Sequence, residues 1–301
     1  MSALLQVEHL VKEFPVSGQG LRRQTLRAVD DVSFSVSPGE TVAVVGESGS
    51  GKSTSARLAV RLLDVTSGTV RYAGEDITGL SGRRLNRFRG GVQVVFQDPY
   101  SSLNPKHTVH EVVTAPLRYQ GRSPGRGSRA LVGDLLERVG LDPSAMDRYP
   151  SQFSGGQAQR IGIARALAVD PQILVCDEAV SALDVSVQAQ VLTLLAGLQQ
   201  ERGLGFLFIA HDLAVVRQIA DTVLVMQHGK VVERGSRDQV FHDPQQDYTR
   251  TLLDAVPRIN PEWEARRRAG RPTVSGAGVR REPSAGSTAE LPAEPTERTS
   301  R

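Results

Sequence analysis

Nine consecutive residues, Gly46-Glu47-Ser48-Gly49-Ser50-Gly51-Lys52-Ser53-Thr54, follow the spacing G-x-x-x-x-G-K-[ST]. Glycines at these places let the backbone curl until successive N–H groups point at one anion. Lys52 then reaches the β- and γ-phosphates of a nucleoside triphosphate, and the Ser53 hydroxyl ligates Mg²⁺. An apolar run ends at Gly46 and a helical pattern, 53–63, opens after the loop. The helix adds the positive end of its dipole to the same anion site. A glycine-rich turn with a chance lysine does not explain this strand-loop-helix context, so the chemistry expected is ATP hydrolysis with Mg²⁺.

A hydrolase of this kind needs an acid for the metal and a group for the attacking water. Ile173-Leu174-Val175-Cys176-Asp177-Glu178 supplies both. Asp177 stands at the carboxyl end of an apolar run, where open α/β sheets place ligands. It is a second Mg²⁺ ligand, direct or through water, and Glu178 is the general base or water-orienting group. Two adjacent acids are otherwise a solvated turn, a reading the preceding apolar run disfavours.

Further motifs narrow the class. Phe153-Ser154-Gly155-Gly156-Gln157 precedes the acid pair, Gln97 ends the run 92–97, Ser181-Ala182-Leu183-Asp184 follows, and His211 ends the run 206–211. Ser154 reads as an N-cap for a helix over 157–168, and that helix end is a second anion site. Taken together, residues 1 to about 258 resemble the nucleotide-binding domain of ABC transporters. The resemblance implies a sandwich dimer in which Ser154, Gly155, Gly156 and Gln157 of one subunit face the γ-phosphate bound by the other. It also implies that Gln97 contacts Mg²⁺ and the water and relays nucleotide state, that His211 contacts the γ-phosphate, and that Asp184 crosses the dimer to position Glu178. Phe14 is a candidate to stack on adenine; a core or surface aromatic is the competing reading.

Gln97-Asp98-Pro99-Tyr100-Ser101-Ser102-Leu103-Asn104-Pro105 and the stretch 180–190 are similar to the oligopeptide/dipeptide importer ATPases, as are Tyr248-Thr249-Arg250-Thr251-Leu252-Leu253 and Ala255-Val256-Pro257. Phe153 and Cys176 resemble the second of the two paired ATPase subunits. The resemblance implies a similar but different ATPase partner, two membrane-spanning permease subunits, an extracytoplasmic solute-binding protein acting indirectly, and a peripheral place on the cytoplasmic face of the membrane. Nickel, glutathione or sugar importers remain alternative settings for the same ATPase, and a soluble ABC mechanochemical ATPase is the alternative of another class. The chain departs from the family at Ala179, where Pro is usual, and at Ala158, where Arg is usual. The first loosens a turn and the second removes a cation expected near an anion-binding helix end. Neither removes a group that the chemistry needs, so an active but slower ATPase is expected.

The elements that must position these residues are legible as apolar runs of strand length alternating with helical patterns. They predict an α/β phosphate-loop NTPase core: a mostly parallel sheet with helices on both faces. The strands expected are 42–46, 92–97, 173–177, 206–211 and 222–227, with a His228-Gly229 hairpin turn leading into 230–234. Strands at 5–9 and 29–36 predict an N-terminal antiparallel β subdomain, joined by an exposed loop over 17–27. Between about 98 and 165 the strand pattern stops, which predicts an inserted helical subdomain with helices over 109–117 and 129–139. From about 259 to 301 apolar residues nearly vanish, which predicts a disordered tail rich in Pro, Gly and Arg. No apolar run approaches the roughly 20 residues a membrane span needs, and no leader pattern opens the chain. One cysteine, Cys176, cannot form an internal disulfide or a cysteine cluster. A net charge of only +3, with arginine gathered in loops and tail, gives no reason to expect a nucleic-acid partner.

Overall fold

The computed structural model describes residues 3–16, 24–123 and 127–255. In chain order the elements are strands β1 (Leu5–Val16), β2 (Gln24–Val36) and β3 (Thr41–Val45), helix α1 (Lys52–Ala59), and strands β4 (Ser67–Tyr72) and β5 (Glu75–Asp76). Helix α2 (Gly82–Gly91) and strand β6 (Val92–Val95) follow, then helices α3 (Pro99–Ser102), α4 (Val109–Tyr119), α5 (Ser128–Arg138) and α6 (Gly155–Leu167). Strand β7 (Ile173–Asp177), helix α7 (Val185–Arg202), strand β8 (Gly205–Ile209), helix α8 (Leu213–Ile219), strands β9 (Thr222–Gln227) and β10 (Lys230–Ser236), and helices α9 (Arg237–His242) and α10 (Asp247–Asp254) complete the described chain.

The central sheet has the order β10-β9-β3-β8-β7-β6. Every neighbouring pair is parallel except β9 with β10. Its inner strands β3, β7, β8 and β9 are nearly continuous apolar runs because both faces are covered, whereas edge strand β10 carries Lys230, Glu233 and Arg234. Alternate residues divide cleanly between the two cores. Val42, Val44, Ile173, Val175, Leu207 and Ile209 face one core, and Ala43, Val45, Leu174, Cys176, Phe206 and Phe208 face the other. Each large side chain so buried stabilises the fold by about 1.5–3 kcal/mol.

The second core is roofed chiefly by helices α4 to α8, with α9 and α10 packed at its margin. The first is roofed by α1, Phe88 of α2, and the antiparallel sheet β2-β1-β4-β5. Helices on both faces were expected; here a sheet does much of the covering on one side. The reason is period-two burial on β1, where Leu5 and Val7 point inward and present a ready apolar face. The β1–β2 ladder runs on to Val16 and Gln24, so residues 24–27 of the expected loop are strand. The rest of that loop, 17–23, lies outside the described residues, as does the expected tail over 259–301. Among the described residues no strand lies between Val95 and Ile173. The His228-Gly229 turn takes positive φ at both residues, 48° and 82°, the conformation that a tight two-residue hairpin requires.

Candidate nucleotide site

The phosphate loop leaves β3 and enters α1 at the carboxyl end of the parallel sheet. Two of its glycines are demanded by close approach. A Cβ on Gly46 would overlap the Met226 carbonyl, and a Cβ on Gly51 would come 2.5 Å from the Ala28 carbonyl oxygen. The hairpin turn buttresses the loop from below: the Gly229 N–H donates to the Ser50 carbonyl at 3.0 Å, and the Asp30 N–H donates to the Gly229 carbonyl at 2.8 Å. Ser50 is buried, and its Oγ has no partner, a polar atom suited to a ligand in the loop. Glu47, Ser48 and Gly49 form the exposed lip, and Thr54 is half-buried in the first turn of α1.

Lys52 is buried, and its Nζ donates to the carbonyls of Gly46 and Glu47, both at 2.8 Å. Burial pulls its proton affinity below the ordinary lysine value, while Glu178 and Asp177 push the other way. An arriving polyphosphate supplies the anion this buried ammonium lacks.

Ser53 and Asp177 lie 124 residues apart in sequence, yet Ser53 Oγ donates to Asp177 Oδ1 at 2.7 Å. A hydroxyl and a carboxylate meeting at the mouth of the loop form a hard oxygen donor pair, which fits Mg²⁺. Arg57 joins them, with Nη2 3.6 Å from Asp177 Oδ2. Sequence reasoning passed over Arg57; its spacing four positions after Ser53 on one helix face is the signal that marks it.

Glu178 has φ of 51°, a left-handed conformation that a non-glycine residue adopts only when its surroundings enforce it. Its N–H donates to the Ile209 carbonyl at 3.1 Å, and its own carbonyl accepts from the Ser181 N–H at 3.1 Å and the Ser181 Oγ at 2.9 Å. These bonds extend the β7–β8 ladder by one residue and turn the carboxylate out of the sheet. The Nδ1 atom of His211 lies 3.7 Å from Glu178 Oε2. Ala179, where the family proline is missing, is buried.

The signature segment sits elsewhere. Ser154 caps α6 in a two-way box with Gln157: its Oγ accepts the Gln157 N–H at 3.4 Å, and its N–H donates to Gln157 Oε1 at 3.0 Å. Gly156 packs so closely on α7 that a Cβ would overlap Val187 Cγ1. No hydrogen bond or ion pair among the described residues joins 154–157 to the phosphate loop. Ala158 is fully buried in the helical core, so this alanine fills core space where a cation at the helix end was the expected comparison. Asp184 is exposed at the start of α7 and makes no side-chain cap.

Gln97 is exposed two residues beyond β6. Its neighbourhood is wired to the signature by residues the sequence did not reveal. Buried Gln159 donates to the Phe96 carbonyl at 3.3 Å, and Tyr100 Oη donates to the Phe153 carbonyl at 2.7 Å. Phe14 pairs with Leu26 across the β1–β2 ladder, and the Lys12 ammonium sits 5.1 Å from its ring centre. A base stacking on Phe14 would share the ring with a cation already in place.

Comparison with known proteins decides the family. A family model described as ABC transporter matches residues 29–181. The chain belongs to the ABC transporter family. A second model, the C-terminal region of oligopeptide/dipeptide transporters, matches residues 232–278, past the point where composition alone starts the tail. Of those residues, 256–278 lie outside the described structure. The probable peptide ABC transporter ATP-binding protein y4tS of Sinorhizobium fredii is 51% identical over 86% of this chain and 74% of its own length. The glutathione import ATP-binding protein GsiA of Escherichia coli is 49% identical over 86% of this chain; the chain spans only 42% of that relative's length. Among solved structures, the dimeric post-hydrolysis state of the ATP-binding cassette MJ0796 bound to ADP and Pi matches with a TM-score of 0.69 at 29% identity, over 77% of this chain and 98% of that one. The cbiO1 subunit from Clostridium perfringens, part of the transporter complex cbiONQ, matches with a TM-score of 0.70 at 27% identity, over 88% of this chain and 100% of that one. This ABC ATPase binds ATP and is an ATP hydrolase. Among the described residues, no helix is long and apolar enough to cross a membrane.

Proposed function

We propose that this ABC ATPase powers the import of peptide-class cargo, working at the cytoplasmic face of the membrane with two permease subunits, a second ATPase subunit and an extracytoplasmic binding protein. The observation that carries the ATPase half is the meeting of Ser53 and Asp177 at 2.7 Å beside a loop that already orients Lys52. The peptide half is supported by the oligopeptide/dipeptide region matched over 232–278 and by the peptide transporter relative. Glutathione, itself a small peptide, is named for the other relative and fits the same chemical class.

In this proposal the loop amides of 49–54 and the N-terminus of α1 hold the phosphates, with Lys52 as the fixed positive charge. Ser53 and Asp177 would hold Mg²⁺, with Gln97, beyond the end of β6, as a further ligand. When bound, the ion neutralises phosphate charge. Glu178 accepts a proton from, or orients, the attacking water, and His211 beside it meets the γ-phosphate. Ser154–Gln157 complete the site of a second subunit, since within one chain they pack on α7. The dimeric state named for the MJ0796 cassette supports that arrangement. A groove of about 420 Å³ lined by Leu62, Phe96, Pro116, Tyr119 and Gln120 lies where the sheet meets the helical insertion, and it suits a permease segment. The bonds from Gln159 and Tyr100 would carry nucleotide state from Gln97 to that groove.

Glu178→Gln tests the assignment. The variant should bind ATP with wild-type affinity, accumulate as a closed dimer on sizing columns, and lose at least 100-fold in turnover, the scale of a general-base contribution. Turnover within a few-fold of wild type overturns the role given to Glu178.

A further inference from the structure

The N–H of Glu47, at the entrance to the phosphate loop, donates to the hydroxyl of Tyr248 at 3.1 Å, across 201 positions of sequence. Tyr248 lies on α10, within the matched C-terminal region and outside the ATPase match. Helix α10 is itself tied down. Glu233 on β10 sits just after a register shift in the β9–β10 ladder. Its Oε1 accepts the Gln245 N–H at 2.8 Å and its Oε2 accepts the Gln246 N–H at 3.1 Å, capping the N-terminus of α10. Buried Thr249 and the side chains of Tyr248, Leu252 and Leu253 pack the helix onto the main core.

These contacts converge on one peptide group. The peptide linking Gly46 to Glu47 has its carbonyl held by Lys52 and its N–H held by Tyr248. In the ligand-free fold Lys52 ties down two carbonyls, at Gly46 and Glu47. A lysine that turns toward phosphate must loosen at least one of them. The Tyr248 bond is independent of the phosphates and holds the loop entrance through that exchange. It thus matters more with nucleotide bound than without, which is the condition for a contact to change affinity.

We infer that Tyr248 is a positioning residue for the phosphate loop, through which the C-terminal region sets the affinity for ATP. This rests on the assignment of Gly46–Thr54 as the ATP phosphate loop. The role is independent of the chemistry at Glu178.

The test uses the full chain, with equilibrium binding of Mg·ATP, steady-state ATPase and thermal melting. Tyr248→Phe keeps the ring packing and removes only the acceptor. It should weaken binding and raise KM about five-fold, equivalent to the ~1 kcal/mol of one hydrogen bond, with kcat altered much less than KM and the melting temperature held within about 1 °C. Glu233→Ala should raise KM by a similar factor, and Glu233→Gln, which still accepts an amide, should recover part of it. The double variant Tyr248→Phe/Glu233→Ala should be no worse than Glu233→Ala alone, because both act through one hydroxyl. Unchanged affinity in Tyr248→Phe, or multiplied effects in the double variant, overturns the inference. Lys52→Ala separates the two levels. If it abolishes binding while Tyr248→Phe does nothing, only the Tyr248 role fails; if it also leaves binding intact, the phosphate-loop assignment fails and takes this role with it.

Discussion

Gly156→Ala should destabilise the chain by forcing α6 against α7. Gly156 lies in the first turn of α6, and a Cβ there would come closer than 3.0 Å to Cγ1 of Val187 on α7, a separation that real Cβ atoms do not show. Valine is stiff at χ1 and its backbone is fixed in the helix, so it cannot swing aside cheaply. Overpacking of this kind costs about 2 kcal/mol. Replacing a helical glycine by alanine returns about 0.5–1 kcal/mol, so the net loss should be about 1–1.5 kcal/mol. Val187→Ala alone removes two half-buried methyl groups and should cost about 1 kcal/mol. In the double variant the clash is gone while the helix gain remains. The cycle therefore isolates the clash as a coupling energy of about 2 kcal/mol, measured by urea denaturation of all four proteins. Coupling below about 0.5 kcal/mol would refute the packing argument. ATPase assays add a second reading. If Gly156 is also the point where the signature approaches the partner's phosphate, the double variant regains stability but not turnover. Recovery of both would mean that Gly156 serves the α6–α7 contact alone.

Three further outcomes are expected. Ala179→Pro should stabilise the chain by about 0.4–1 kcal/mol, because proline restricts the unfolded chain and the Ala179 N–H donates to no backbone or side-chain acceptor among the described residues; a lower melting temperature would contradict this. Arg57→Ala should loosen Asp177 and weaken Mg²⁺ dependence of ATP binding two- to five-fold, read by titrating Mg²⁺ at fixed ATP, the scale of a partly exposed ion pair; no change removes Arg57 from the site. For Glu233, burial alone would raise its carboxyl, but the amide hydrogen bonds from Gln245 and Gln246, with Arg250 nearby, hold it below its ordinary value of 4.5. A depressed carboxyl contributes stability above the unfolded value and loses it as pH falls through the folded one. Below about pH 4.5 the α10 amides should therefore lose hydrogen-exchange protection before the central sheet does, and Glu233→Gln should flatten that acid limb; a limb unchanged in Glu233→Gln would assign it to other carboxylates.

What the sequence made legible, and what it hid, divides along sequence distance. The loop, the acid pair and the signature are runs of adjacent residues, so their types and spacing state their chemistry locally. The capping box at Ser154 and the positive-φ turn at Gly229 are local too, and the structure has both. The parallel strands were readable because burial on two faces leaves unbroken apolar runs; their ends moved by one or two residues, since β6 stops at Val95 while the run continues to Gln97. What could not be read is what depends on one element meeting another far away. Nothing near Tyr248 says that its hydroxyl reaches Glu47, and nothing near Ala158 says that its methyl faces a core. The strain at Glu178 belongs to the same class: its φ of 51° is enforced by Ile209 on the neighbouring strand and by Ser181 beyond the turn, not by its own type. The chemistry of this ATPase is thus written in short segments, whereas control over it is distributed. One subunit's loop is held at its entrance by a helix from beyond the matched ATPase region, and in the proposed dimer it would be completed by the signature of another chain. The variants above are chosen to break those long-range ties one at a time, while the local chemistry stays intact.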